Sequence, residues 1–437
     1  MIFKQILKNK SFLVYGLGLT GQSVIKFLKK TKAKNIYLWD DNINFRKKFN
    51  SRENNKSIKK KFSEVDYIVL SPGISIRKSN KKKLLNENQR KIITDIDLFF
   101  LTNKIFKSVV VTGTNGKSTT CSIIEKVLSD SGYNTVAVGN IGKPILDYNI
   151  GKKRNVVIVI EMSSFQLEYS KFVRPNHAIL INITRDHLDW HGSMKNYINS
   201  KFKIFSLQNN KDYAYLPQNK NIIRLFKKRN MKAKMILNNQ RIHNFLNKNI
   251  LNTYLKSQSN LKNLSFIYDL KNNFKISNKS FFSSLKKFKG LPHRQEIFLK
   301  KNNICFINDS KATTFTATEG CLMNYRNIFW IVGGLQKVGD QFNLNKVKKN
   351  ILKAFIIGKK RSFFKNKMNK KVDYVETKNI YKTVKNIFNE IKNFSKVEDK
   401  LFVIFSPACA SYDQFKNFEE RGKLFKKLIK YNAKKYL

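Results

Sequence analysis

Several short strings in this 437-residue chain carry residue types and spacings suited to phosphate and carboxylate chemistry. Gly113-Thr114-Asn115-Gly116-Lys117-Ser118-Thr119 is a glycine loop closed by a lysine and two hydroxyls. Backbone N–H groups in such a loop wrap phosphate oxygens, Lys117 neutralises the β/γ oxygens of a triphosphate, and Ser118 suits Mg²⁺. Val stands at 111 where the general phosphate-loop pattern has Gly, so the loop is a variant. Gly16-Leu17-Gly18-Leu19-Thr20-Gly21 matches GxGxxG, and Asp40 follows nineteen residues after Gly21. Read alone, that pattern suits a nicotinamide or flavin nucleotide; physically it asks only for a diphosphate at a helix N-terminus, which a uridine-diphosphate sugar also supplies. Glu161 opens Glu161-Met162-Ser163-Ser164-Phe165-Gln166-Leu167, where a carboxylate beside the phosphate loop suits Mg²⁺. The run from Asn182 to His191 gathers Asp186, His187, Asp189 and His191, oxygen and imidazole donors for a second metal site. A plain hydrogen-bonded loop is the alternative, stronger for His191 than for His187.

The elements around these strings are of one kind. Apolar runs at Phe12–Tyr15, Ile36–Trp39 and Tyr67–Leu70 end in polar or glycine-rich turns and alternate with helical patterns. The pattern repeats at Ser108–Val111, Val156–Ile160 and Ala178–Ile183, and again at Ile304–Ile307, Ile328–Val332, Ala354–Ile357 and Phe402–Phe405. Strands alternating with helices predict parallel sheets whose ligands sit at the strands' C-terminal ends. Cys121, Ile124, Val127 and Leu128 give the helix expected over 118–131 one buried face. The fold class is therefore α/β in three parts: 1–102, 103–289 and 290–437. The stretch 208–280, rich in Asn and Lys, reads as irregular structure with peripheral helices. A dehydrogenase does not need the second phosphate loop, and a simple ATPase does not need the first.

Composition narrows the class further. Lysines 4, 8 and 10 break the opening residues, which do not read as a signal peptide, and no apolar run approaches the roughly 20 residues of a membrane span. The four cysteines, at 121, 305, 321 and 409, form no CxxC pair and read as small buried residues in a reducing cytoplasm. The net charge of +57 would suit nucleic acid, but the lysines are scattered through most of the chain and define no single stripe. We read the charge as composition, with a field that favours anionic small molecules and no nucleic-acid partner.

In this order the strings resemble the Mur ligase family, and within it the members that add D-glutamate to UDP-N-acetylmuramoyl-L-alanine. Besides the loops above, the likeness rests on Ser71-Pro72-Gly73-Ile74, Gly290-Leu291-Pro292-His293-Arg294, Asn308-Asp309-Ser310-Lys311-Ala312-Thr313 and the run from Ser406 to Phe415. The resemblance implies a Rossmann-like first domain for the uridine diphosphate substrate, a central phosphate-loop ATPase-type domain and a Rossmann-like C-terminal domain. It implies that Leu19, Thr20, Asp40, Ser71 and Gly73 meet the uridine diphosphate, and that Asn140 and Gln166 position the muramoyl-alanine arm. Gly113, Thr114, Asn115, Gly116, Lys117, Ser118 and Thr119 would hold ATP phosphates, with Asn260 and Asn263 at adenine. Ser259 stands where the family usually has His. Arg294, Asp309 and Lys311 would also reach ATP, while Thr313, Lys337, Ser411 and Phe418 would grip D-glutamate. Ser118, Glu161, His187 and a carbamylated Lys201 would serve magnesium; Lys117, His187 and Lys201 would be catalytic. Asp41-Asn42 departs from relatives that place a neutral residue and an arginine beside uracil.

The implied reaction is ATP-dependent amide formation through an acyl phosphate, in a monomeric cytoplasmic enzyme of peptidoglycan precursor synthesis. The three-part layout suggests closure over the substrates before chemistry. Rival readings are a sibling ligase for another amino acid, an NAD-dependent oxidoreductase built on Gly16–Gly21, and a nucleic-acid-stimulated ATPase.

Overall fold

Short runs such as Ser-Phe-Leu-Val-Tyr and Val-Val-Ile-Val-Ile, apolar at nearly every position, cannot leave either face in water, so they stack side by side under covering helices. The computed structural model describes residues 7–49, 55–103, 106–151, 154–336, 340, 342–394 and 400–437. Three sheets result. The first holds β1 (Ser11–Tyr15), β2 (Asn35–Trp39), β3 (Tyr67–Leu70) and β4 (Ile92–Ile93) in the order β2-β1-β3-β4. The second holds β5 (Lys107–Thr112), β6 (Asn134–Gly139), β7 (Val156–Glu161), β8 (His177–Leu180), β9 (Tyr213–Leu216) and β10 (Lys234–Leu237), ordered β10-β9-β8-β5-β7-β6. The third holds β11 (Glu296–Lys301), β12 (Ile304–Asn308), β13 (Ile328–Gly333), β14 (Ile351–Ile357), β15 (Tyr374–Glu376) and β16 (Leu401–Phe405), ordered β11-β12-β16-β13-β14-β15. Every pairing within these sheets is parallel except β11 with β12.

The strand orders locate the sites. In the first sheet β1 lies between β2 and β3; in the second, β5 lies between β7 and β8; in the third, β16 lies between β12 and β13. At such switch points neighbouring loops part and leave a crevice at the strands' carboxyl ends. The glycine loop follows β1, the phosphate loop follows β5, Glu161 ends β7, and Asn308 ends β12 with Asp309 directly after it.

The chain divides into two compact units, Met1–Ile250 with Leu261–Lys287, and Leu251–Asn260 with Phe288–Leu437. The first two sheets share the first unit and one continuous core that includes Phe12, Val14, Val110, Ile158 and Ala178. In the second unit the two-residue strand period sorts side chains cleanly. Trp330, Val332, Ile356 and Ile404 face one core; Phe329, Ile331, Phe355 and Phe405 face the other.

Helix α1 (Leu19–Lys30) follows the first glycine loop, and α2 (Asp95–Thr102) is closed by a capping box from Thr94 and Asp97. Helix α3 (Lys117–Asp130) buries Cys121, Ile124, Val127 and Leu128 as its periodicity predicts. Helix α4 (Ser164–Tyr169) is closed by the capping box of Ser163 and Gln166, and α5 (Met194–Phe202) carries Lys201.

Some sequence expectations need correction. The run expected to be a strand through Ile183 leaves the sheet after Leu180, because Ile181–Ile183 turn into the loop that braces the phosphate site. The stretch 208–280 is more regular than its composition suggests: β9 and β10 extend the central sheet, followed by helices at Gln240–Asn249 and Gln258–Asn273. Residues 251–260, read with the central part, pack instead in the second unit, where Asn252 donates to the Phe288 carbonyl at 2.7 Å. All four cysteines are buried thiols, as expected.

Gly21 shows why the first loop needs glycine. A Cβ at this position would sit 1.9 Å from the Gly16 carbonyl oxygen, a backbone atom that cannot swing aside. Gly21→Ala is therefore expected to destabilise the protein by about 1–3 kcal/mol through overpacking, measured as a lowered midpoint in denaturant unfolding.

Candidate active site

The phosphate loop is held from below. Asn182, just beyond β8, accepts the N–H groups of Thr114 and Asn115 at 3.0 Å each and donates back to the Asn115 carbonyl at 3.0 Å. Gly116 takes φ +87° at the start of α3, and a Cβ there would meet the Asn263 amide at 2.6 Å. The loop thus closes tightly on a buried asparagine expected at adenine, while the first turn of α3 presents backbone N–H groups and positive dipole to an anion. The Lys117 ammonium folds over the loop and donates to the Gly113 and Thr114 carbonyls at 2.8 and 2.9 Å. Thr119 is buried in that turn, and Thr114 shares a 2.9 Å hydrogen bond with the Tyr197 hydroxyl.

Glu161 is 2% exposed and ends β7. One carboxylate oxygen accepts the Ser118 hydroxyl at 2.5 Å; the other accepts the Asn140 amide at 2.9 Å. Ends of β6, β7 and α3 therefore converge on one carboxylate. Among the described residues no group of three or more His, Cys, Asp or Glu gathers as a metal cage. Magnesium does not ask for one, since it takes one or two protein oxygens and completes its shell with phosphates and water. The Ser118 hydroxyl and Glu161 carboxylate supply such a hard-oxygen pair.

Lys201 is 1% exposed and donates to the Gly113 carbonyl at 2.8 Å. Burial holds its ammonium well below the usual lysine range, Lys117 adds repulsion, and Asp186 and Glu161 pull partly the other way. These same couplings bring Lys117, Lys201, Asp186 and Glu161 into one electrostatic neighbourhood. His187 adopts a left-handed backbone (φ +54°), packs on Phe165 with ring centres 4.8 Å apart, and lies 3.4 Å from the Asp186 carboxylate. His191, by contrast, is a core residue. Its ring nitrogens meet Ser164 at 2.9 Å and Ser200 at 3.2 Å, and burial pushes its pKa down to about 4. The possibility of His191 as a metal ligand is thereby replaced by a structural role.

Around the first glycine loop, Ser71 donates to the Gly16 carbonyl at 2.9 Å, and Asp40 accepts the Leu17 N–H at 2.8 Å. Asp40 is thus partly spent on bracing the loop. Leu19 is 80% exposed beside half-buried Thr20, and Gly73 faces open space. The Asp41 departure has a local partner set: its carboxylate accepts the Tyr15 hydroxyl and the Trp39 indole N–H. Arg46 stacks over Trp39 at 4.3 Å. Gln166 spends its amide oxygen on the α4 cap.

In the second unit, Asp309 is buried after β12 and accepts Ser406 at 2.7 Å and the Gln295 N–H at 3.1 Å. Arg294 lies close enough to act on its charge. Lys311 sits over the Phe418 ring at 3.8 Å, and Ser411 is buried within the loop that follows β16. Thr313 is half-buried in the loop after Asp309. Asn260 donates to the Tyr254 carbonyl at 2.8 Å. Lys337 lies outside the described residues.

Residues 111–279 match the family described as Mur ligase middle domain. The UDP-N-acetylmuramoylalanine–D-glutamate ligase of Wolbachia pipientis wMel is 31% identical over 97% of this chain and 98% of its own length. The enzyme of the same name from Rickettsia prowazekii is 33% identical over 97% and 98%. The chain belongs to the Mur ligase family. Solved Mur ligases share the fold: MurF ligase from Thermotoga maritima in complex with ADP has a TM-score of 0.58 at 14% identity, covering 98% of this chain and 97% of that one. UDP-N-acetylmuramate-alanine ligase MurC from Thermotoga maritima gives 0.57 at 15%, covering 97% and 99%.

This Mur ligase also uses residues that sequence reasoning missed. Arg421, 1% exposed on the helix α6 (Phe418–Tyr436), donates to the Ser310 hydroxyl at 3.0 Å, the Ser310 carbonyl at 2.7 Å and the Cys409 carbonyl at 3.1 Å. One guanidinium fork thereby ties the loop carrying Asp309 and Lys311 to the loop carrying Ser411. Asn182 plays the corresponding part beneath the phosphate loop. Neither announces itself by residue type, because both act through contacts far apart in sequence.

Burial pushes the Asp309 carboxyl up to about 7. The folded state therefore holds that proton more tightly than the unfolded chain does. Its stability contribution is full below the unfolded value near 4 and is lost as pH rises through about 7. Asp309→Asn should accordingly gain stability relative to the parent between about pH 4 and about pH 7, by at least ~1 kcal/mol. Denaturant unfolding of both proteins at the two ends of that window checks the sign.

Proposed function

We propose that the chain is an ATP-dependent ligase that joins D-glutamate to UDP-N-acetylmuramoyl-L-alanine in peptidoglycan precursor synthesis. The observation that carries this reading is likeness along nearly the whole chain to enzymes bearing that activity in their names. The site supports it in kind, with two phosphate cradles on separate sheets and a buried carboxylate–hydroxyl pair beside the second.

In this reading 1–102 takes the uridine diphosphate substrate, 103–289 without residues 251–260 takes ATP, and 290–437 takes D-glutamate with part of ATP. The acceptor's alanine carboxylate oxygen attacks the terminal phosphorus, the bond to the ADP oxygen breaks, and an acyl phosphate forms. Lys117 and the first turn of α3 offset the crowding of negative charge. The neutral amine of D-glutamate then attacks the acyl carbon. The tetrahedral intermediate loses a proton and expels phosphate, leaving the amide. Magnesium, when bound, supplies charge neutralisation at the phosphate oxygens; Ser118, Glu161 and His187 would hold it. Lys201 fits carbamylation: burial disfavours its ammonium form, and the amine so released can add to carbon dioxide and lose a proton, turning a cation into an oxygen ligand. Arg294, Asp309, Lys311, Asn260 and Asn263 are assigned to ATP, and Thr313, Lys337, Ser411 and Phe418 to D-glutamate. Leu19, Thr20, Asp40, Ser71, Gly73, Asn140 and Gln166 are assigned to the acceptor. Among the described residues no helix is long and apolar enough to cross a membrane; we place the enzyme in the cytoplasm, as a monomer.

Phosphate release assayed with ATP, magnesium, the acceptor and each amino acid in turn tests the reading. D-Glutamate should support turnover, and Lys117→Ala should lower kcat by about 10²-fold or more. Turnover with another amino acid and none with D-glutamate overturns it.

A further inference from the structure

The segment from Glu161 to Phe172 begins at the proposed magnesium carboxylate and ends against the first sheet's helices. Along it lie several anchors. The Tyr169 hydroxyl, at the end of α4, accepts the Ile76 N–H at 3.0 Å. Lys171 donates through its ammonium to the Gln89 and Arg90 carbonyls at 2.7 and 2.8 Å. The N–H groups of Lys171 and Phe172 both go to one oxygen of Asp97, at 2.9 and 2.7 Å. The other Asp97 oxygen accepts the Thr94 N–H and hydroxyl at 2.9 and 3.0 Å. Asp97 is fully buried, so these four donors define its environment.

Ile76 belongs to the loop that begins at Ser71, whose hydroxyl is bonded to the Gly16 carbonyl. The same loop reaches the metal-side loop directly: Ser75 donates to the Trp190 carbonyl at 3.4 Å, and Lys78 pairs with Asp189 at 3.5 Å. The Tyr169 ring packs on Trp190, which stacks on Phe165, the residue against which His187 lies. Tyr169 therefore touches the diphosphate loop with its hydroxyl and the metal-side loop with its ring.

Resting on the ligase reading above, we propose that Tyr169 is a positioning residue. Its hydroxyl, backed by the Asp97 and Lys171 anchors, fixes the span between the uridine diphosphate loop and the ATP phosphate loop. The acceptor bridges that span: its diphosphate is gripped at one end, and its carboxylate must meet the terminal phosphorus at the other. An error of about 1 Å over that distance is costly to the reaction while leaving each end's own ligand bound. Tyr169 thus acts on the joint geometry of two sites.

Tyr169→Phe keeps the ring and removes the acceptor of the Ile76 N–H. It should lower kcat with the full acceptor roughly ten-fold or more, while UDP alone and ATP alone bind within about two-fold of the parent by calorimetry. Lys171→Met removes a more accessible anchor of the same segment. It should show the same split on a smaller scale, roughly three-fold in kcat, and it decides the matter should Tyr169→Phe not fold. A folded variant with unchanged kcat overturns the proposal. So does a parallel fall in kcat, UDP binding and ATP binding with the melting temperature, which marks ordinary destabilisation. A parent enzyme inactive with D-glutamate overturns the ligase reading, and this proposal with it.

Discussion

The Glu161 carboxylate is the constraint on which the central site turns. It is buried, and a buried carboxylate without partners costs several kcal/mol. Ser118 and Asn140 meet that need, and in doing so they fix the first turn of α3 and the end of β6 against the end of β7. The phosphate loop cannot shift without breaking one of these bonds. The arrangement also explains why a hydroxyl must follow Lys117 directly: only the first helical turn reaches a carboxylate on the strand next to β5. Under the proposed reading Ser118 and Glu161 would hold magnesium, so the contact that organises the fold would also serve to neutralise phosphate charge.

How much of this was legible depended on whether meaning lay in residue type or in long-range contact. The glycine loops, Lys117, Ser118 and Glu161 were legible because parallel strands place functional groups at their C-terminal ends, where the sequence changes abruptly from apolar to polar. The strand cores were legible for the same reason. Strands β9 and β10 were not, since each is four residues long and sits among Asn and Lys runs typical of loops. Lys201 is one among many lysines, and only family resemblance singled it out. Arg421 reaches Ser310, more than a hundred residues away, and nothing local in the sequence foretells that.

The unusual charge of the chain sharpens that last point. With 86 Lys and Arg against 29 Asp and Glu, most cations have no carboxylate to meet and stay in water, where screening makes each of little consequence to stability. Their summed field draws anions, and the proposed substrates are all anions. Among the described residues, the two cationic side chains buried most completely behave differently. Arg421 remains a cation by surrounding itself with carbonyl and hydroxyl oxygens, although burial lowers its pKa to about 10. Lys201 has the Gly113 carbonyl and the distant Thr112 hydroxyl instead, and burial drives it toward the neutral amine.

That contrast follows from the chemistry of the two groups. A guanidinium spreads its charge over a planar fork that several oxygens can share, so it can serve as a permanent internal brace. An ammonium concentrates its charge and gives up its proton when desolvated. In the second unit the fold needs two loops tied at a fixed separation, and arginine provides the tie. Beneath the phosphate loop, Lys201 sits within reach of the charges of Lys117, Asp186 and Glu161, and an amine there answers burial by shedding its proton where a guanidinium would keep it. At these buried positions, where charge carries energetic weight, arginine and lysine meet desolvation in different ways: Arg421 keeps its charge among oxygens, and Lys201 is pushed away from it.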